Sequence, residues 1–136
     1  MRTFYIFNIK KHFKILTMNN PLLLYKTLEN ISKSNKYNID NNMIIFNQIR
    51  KDFNKEYLNN ETYNYYKNNN CYILNKNIHS INDYLNKEST KLLINKSYIV
   101  IKSNKENPSF IDYLKKYNNL FVCDFDNKDY FWLSKI

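Results

Sequence analysis

The chain has 136 residues, with 21 basic and 12 acidic side chains and a formal net charge of +9. That length suits one domain of roughly 100–150 residues, and a content of 43% hydrophobic and 17% aromatic residues excludes a disordered chain. Glycine is absent, which excludes the Walker-type phosphate loop, the dinucleotide fingerprint and the hydrolase nucleophile elbow, because each needs backbone without a Cβ.

In chain order, Thr3 to Ile9 is β-branched and aromatic and predicts a buried strand. Lys10 to Met18 changes to helical spacing through Ile9, Phe13 and Leu16, and Asn19-Asn20 ends that short helix, Asn tolerating the left-handed turn. Pro21 opens a second helix whose inner face is Leu22, Leu23, Tyr25, Leu28 and Ile31, with Lys26, Glu29 and Asn30 opposite. Asp40 is the expected N-cap of a third helix with an apolar stripe of Met43, Ile44, Phe46, Ile49 and Phe53. Residues 54–70 fit strand or helix equally. Cys71 to Leu74 reads as a short strand, and Ile78 to Leu85 as a helical turn capped by Ser80. Leu92 to Ile94 and Ser97 to Ile101 bracket Asn95-Lys96 as a two-residue hairpin turn. Pro108 opens a helix through Phe110, Ile111, Leu114 and Tyr117, with Lys115 and Lys116 in its last turn. Leu120 to Phe125 and Tyr130 to Leu133 form a closing hairpin. The expected fold is a single α+β domain over residues 1–136: a mixed or antiparallel sheet covered by helices, with a carboxy-terminal β-hairpin.

Chemistry is sparse. All but two of the 21 basic residues are lysine, spread from Lys10 to Lys128, and alanine is missing as glycine is. An AT-rich genome accounts for this composition, so the lysines read as a solvated surface; a phosphate groove favours the bidentate contacts of arginine. His12, Cys71, His79 and Cys123 show no close ligand pair, and no metal or other cofactor is expected. His79 is placed in a loop and Cys123 in the core of a strand, with a Cys123–His79 dyad as the alternative. Asp124, Asp126 and Asp129 start like a calcium loop but lack its glycine and its terminal acid, and read as a polar hairpin turn. Tyr63, Tyr65, Tyr66 and Lys67 are the candidates for stacking on single-stranded nucleic acid. No signal-peptide core or membrane-length apolar run is present, so a cytoplasmic protein with reduced thiols is expected.

Two stretches carry a family resemblance. The first is Phe4-Tyr5-Ile6-Phe7-Asn8-Ile9-Lys10-Lys11-His12-Phe13, and the second runs from Leu120 to Leu133, where Lys128, Tyr130, Trp132 and Leu133 fall at matching spacing. Together they resemble the SirA family, sporulation inhibitors of replication in low-GC Gram-positive bacteria. The resemblance implies a non-enzymatic inhibitor of DNA replication initiation. Such a protein binds the amino-terminal domain of the initiator DnaA and occludes its interaction surface, as a monomer without cofactor, membrane or direct nucleic-acid contact. It also implies contact residues: Phe13 matches the family's first contact aromatic, Thr17 with Met18 beside it stands where the family has a second, and Gln48, or Asn47 after a one-residue shift, matches a contact glutamine. Lys14 lies on the same helix. The family has glycine where this chain has Phe131. The alternative to this reading is a small basic nucleic-acid-binding domain using lysines and tyrosines.

Overall fold

The amino-terminal strand β1 (Arg2–Asn8) lies inside the sheet, bonded on one side to β5 (Ile99–Ser103) and on the other to β6 (Leu120–Asp124). The computed structural model describes residues 1–135. Among them one antiparallel sheet has seven strands in the order β2-β3-β4-β5-β1-β6-β7, with β2 at Tyr72–Asn75, β3 at Ile78–Asp83, β4 at Glu88–Ile94 and β7 at Asp129–Trp132. Five helices accompany it: α1 (Lys11–Thr17), α2 (Pro21–Ser32), α3 (Ile39–Ile49), α4 (Lys55–Tyr66) and α5 (Ser109–Leu114). The α+β class and the closing hairpin, β6–β7, are as the sequence predicts.

Strand periodicity divides the core in two. Phe4 and Ile6 of β1 face a first cluster with Leu92, Ile101, Val122, Tyr66 of α4 and Phe110 and Leu114 of α5. Phe7, and Ile9 just beyond β1, face a second cluster with Leu24, Tyr25 and Leu28 of α2, Phe46 and Ile49 of α3, and Phe121, Cys123 and Trp132. Helices α1–α3 thus cover the β1-β6-β7 end of one face, and α4 and α5 cover the other face.

Several expectations are corrected. Residues 55–66 are helical, and Ile78 to Asp83 is a strand rather than a helical turn. The spacing of Ile78, Ile81 and Leu85 imitates a helix, but pairing with β2 and β4 puts His79 and Ile81 on the buried face at period two. His79 is therefore buried on a strand, not in a loop. Its Nε2–H donates to Asn59 Oδ1 at 2.8 Å and its Nδ1 accepts from the Tyr72 hydroxyl at 2.6 Å. Helix α3 starts one residue before Asp40, with Asn38 at the N-cap and Asp40 in the first turn. The β4–β5 connection takes four residues, Asn95 to Tyr98, because Ile94 pairs with Ile99. Helix α5 ends at Leu114, so Lys115 and Lys116 lie beyond its last turn. Glu29 is buried, accepting a hydrogen bond from the Tyr25 hydroxyl at 2.9 Å, with Lys26 and Lys33 at 3.7 and 3.8 Å.

Without glycine, left-handed positions fall to lysine and asparagine. Lys76 (φ 50°) and Asn77 (φ 67°) are the two central residues of the β2–β3 hairpin, both with positive φ as a type I′ turn requires. Asn adopts this region at less cost than Lys. Lys76→Gly is expected to raise stability by about 1 kcal/mol, read as a higher thermal midpoint. A lower midpoint would show that the left-handed turn carries no strain.

Candidate partner-binding surface

Helix α1 has no side-chain cap; its start is held by α3 instead. The Lys10 N–H donates to the Ile49 carbonyl at 2.9 Å, Lys10 Nζ donates to the Asn47 carbonyl at 3.1 Å, and Ile9 bridges Arg50. The Lys51 N–H returns to the Asn8 carbonyl at 2.7 Å. Segments some forty residues apart in sequence are thereby joined, and the first turn of α1 stands beside the last turn of α3.

On α1, Phe13 is half-buried against the second core, with the His12 ring edge-on to it at 5.5 Å. Lys14 places its ammonium 5.8 Å from the centre of the buried Trp132 ring, which fixes α1 against β7. Thr17 is buried, and its hydroxyl donates to the Phe13 carbonyl at 2.6 Å. Met18 is half-buried. The side chains turned outward are Ile15 and Leu16, 65% and 61% exposed, so the inward expectation for Leu16 is corrected. Leu22 and Leu23 of α2 are also exposed, and Leu24 takes their expected place in the core. The same holds on α3, where Met43 and Ile44 are exposed while Phe46 and Ile49 are buried, and Phe53 lies past the helix in the other cluster.

Asn47 and Gln48 are both exposed but differ in their bonding. The Asn47 carbonyl holds Lys10, and its side-chain oxygen accepts from Arg50 Nη2 at 2.7 Å. Arg50 lies over the Phe46 ring at 4.8 Å and pairs with Asp52. Gln48 makes no side-chain hydrogen bond among the described residues. Lys10, Lys11, Lys14 and His12 give this corner a basic character beside its exposed aliphatics. Sequence reasoning missed that Ile15, Leu16, Leu22 and Leu23 face outward; the available signal was that Ile15-Leu16 and Leu22-Leu23-Leu24 are consecutive, and one face of a helix cannot bury them all.

The other candidates do not assemble. Cys123 lies in the second core, whereas His79 stacks on Tyr72 of the first, so no dyad forms. Among the described residues, no three His, Cys, Asp or Glu side chains converge where they could hold a metal. Asp124 is buried and bound by Arg2 Nε at 2.9 Å and Asn127 Nδ2 at 2.7 Å; Asp129 takes Arg2 Nη2 at 3.0 Å. Tyr66 is buried against Tyr72 and Phe110, while Tyr63 and Tyr65 stay exposed, Tyr65 packing one face on Tyr113 at 4.7 Å, so only two of the three candidate tyrosines of α4 reach solvent. Among the described residues no helix is long and apolar enough to cross a membrane.

The closing motif does structural work. Lys128 occupies a left-handed turn position (φ 53°), Tyr130 stacks on Tyr25 at 4.7 Å, Trp132 fills the second core and Leu133 the first. Phe131, where the family has glycine, packs against the first core. A family model described as "Sporulation inhibitor of replication protein SirA" matches residues 2–136. No curated protein matches the chain.

Proposed function

The chain belongs to the SirA family of sporulation inhibitors of replication, and we propose that it inhibits by binding the amino-terminal domain of the initiator DnaA through α1 and the end of α3. The observation that carries this reading is the Lys10 staple. It joins the first turn of α1 to the last turn of α3, which supports a shared contact surface for Phe13 and Gln48, two of the positions that the family resemblance implies. Gln48 is the better match than Asn47, because the Asn47 amide oxygen is already committed to Arg50 while the Gln48 amide is free to pair across an interface.

Thr17 departs from the family pattern, and its hydroxyl is spent inside the helix. Ile15 and Leu16 supply the apolar area at that turn, with Phe13 as the aromatic anchor of the kind that dominates interfaces. The partner binds the protein as a monomer, and no cofactor takes part.

Titration against the isolated amino-terminal domain of DnaA from the same organism tests the reading. Micromolar or tighter binding is expected, weakened at least tenfold by Phe13→Ala, as expected for an anchor worth about 2 kcal/mol. Gln48→Ala is expected to weaken binding less, and Asn47→Ala to act mainly through stability. Absence of binding at high micromolar concentration would overturn the DnaA assignment. Tight binding indifferent to Phe13 would overturn the site.

A further inference from the structure

Helices α1–α3 stop at β1, so the outer face of β2–β5 has no helix over it. Strand register sets two cross-strand rows there. Ile78, Leu93, Val100 and Tyr5 form one, and Ser80, Lys91, Lys102 and Thr3 form the next. Lys91 and Lys102 are exposed and directly opposite each other, and neither forms an ion pair among the described residues. Like charges directly opposite destabilise a sheet. No acidic residue on these strands relieves the pair: Asp83 and Glu88 fall on the other face by alternation, and Glu88 is buried there, accepting from Thr90 and Ser109.

Where this face meets β1, Tyr5, Tyr98 and Phe125 line the sheet side of a cleft of about 500 Å³ whose other wall is Leu28 and Ile31 of α2 and Phe46 of α3. Tyr5 stands 5.9 Å from Tyr98 and 5.5 Å from Phe125, ring centre to ring centre, and all three rings are half-buried. The charge at its rim is balanced: Lys33 lies 3.8 Å from Glu29, and Asp126 is the remaining acid. Phosphate is thus not favoured in the cleft, while a flat uncharged ring is. The lysine row runs one strand repeat away, about 7 Å.

We propose that the outer face of β2–β5 binds single-stranded nucleic acid, with a base in the Tyr5–Tyr98–Phe125 cleft and the backbone phosphates on Lys91 and Lys102. Charge complementarity selects a polyanion for the unrelieved lysine pair. The aromatic cleft selects a strand whose bases are unstacked and free to enter, as in other sheet surfaces that stack bases on aromatic side chains. A duplex hides those ring faces. This site lies apart from α1, and on the opposite face from the tyrosines of α4 that the sequence offered for the same chemistry.

Fluorescence anisotropy with a labelled 12-nucleotide thymidine strand and a 12-base-pair duplex, at low and physiological salt and without DnaA, tests it. The strand is expected to bind at least tenfold more tightly than the duplex. Lys91→Gln/Lys102→Gln is expected to weaken strand binding at least tenfold and to reduce the slope of log affinity against log salt by about 1.4. Its thermal midpoint should equal or exceed the parent's, because the like-charge pair is gone. Tyr98→Leu is expected to weaken binding about tenfold through lost stacking, with the salt slope unchanged. Lys55→Gln/Lys67→Gln, on α4 at the opposite face, should change affinity less than threefold. Equal losses in the two lysine double variants would show that binding follows total charge and overturn the site. So would a preference for duplex, or no binding at low salt.

Discussion

Arg2→Met is expected to cost about 2–3 kcal/mol of stability at neutral pH, because it strips a buried carboxylate of its charged partner. The Asp124 side chain is fully buried and its Arg2 partner 24% exposed, so the loss falls below that of a wholly buried pair. Burial by itself pushes the Asp124 carboxyl up, but hydrogen bonds from Asn127 and Arg2 outweigh it and hold the group below the ordinary carboxylate range. The sign follows from that direction. The folded carboxylate binds its proton less readily than the unfolded one, so the contribution is present above the unfolded value near pH 4 and is lost as pH falls through the folded value. Removing Arg2 removes part of what holds the group down. The difference between parent and variant should therefore shrink as pH drops through the carboxylate range. Urea unfolding at pH 7 and pH 3.5 reads both effects. A loss under about 0.5 kcal/mol at pH 7 would mean that Arg2 acts as an ordinary surface charge.

The second large effect is a pH dependence carried by His79. Burial pushes its imidazole from 6.5 down to about 4. The neutral ring is already fully used, donating to Asn59 and accepting from Tyr72, and a second proton has nowhere favourable to go. The unfolded chain binds a proton below pH 6.5 while the folded one does not until about 4. Stability from this group is thus complete above pH 6.5 and is lost progressively down to about pH 4. At 1.36 kcal/mol per unit, lowering the pH from 7 to 5 should remove about 2 kcal/mol. His79→Gln keeps a donor and an acceptor in place without titrating, so it should be less stable than the parent at pH 7 and show a flatter slope between pH 7 and 5. An unchanged slope in that variant would assign the titration to another group.

Both effects reside in the scaffold, and the first bears on the surface. Asp124 and Arg2 tie the start of β1 to the β6–β7 hairpin, and Trp132 of that hairpin carries Lys14 of α1. The two stretches that carry the family pattern sit at opposite ends of the chain yet become neighbours, Tyr5 pairing with Cys123 and Ile6 with Val122. Most of the closing motif is spent on packing. The exposed part of the proposed surface comes from α1 and α3.

The amino-acid sequence alone determined the elements with strong local signals. Pro21 at a helix start, the aromatic run of β1 and the two apolar arms of the closing hairpin each state their conformation within a few residues. It also carried the family, because Lys128, Tyr130, Trp132 and Leu133 keep a spacing that packing against α2 and both cores demands. Tertiary structure decided whatever depends on partners distant in sequence. Residues 78–83 become a strand through pairing with β2 and β4. His79 becomes a buried neutral ring through Asn59, twenty residues away. Leu16, Leu22 and Leu23 face outward because the second core is already filled by Leu24, Tyr25, Leu28 and Trp132. Local periodicity cannot report how much inner face a helix will be granted, since that area is set by the neighbours it packs against.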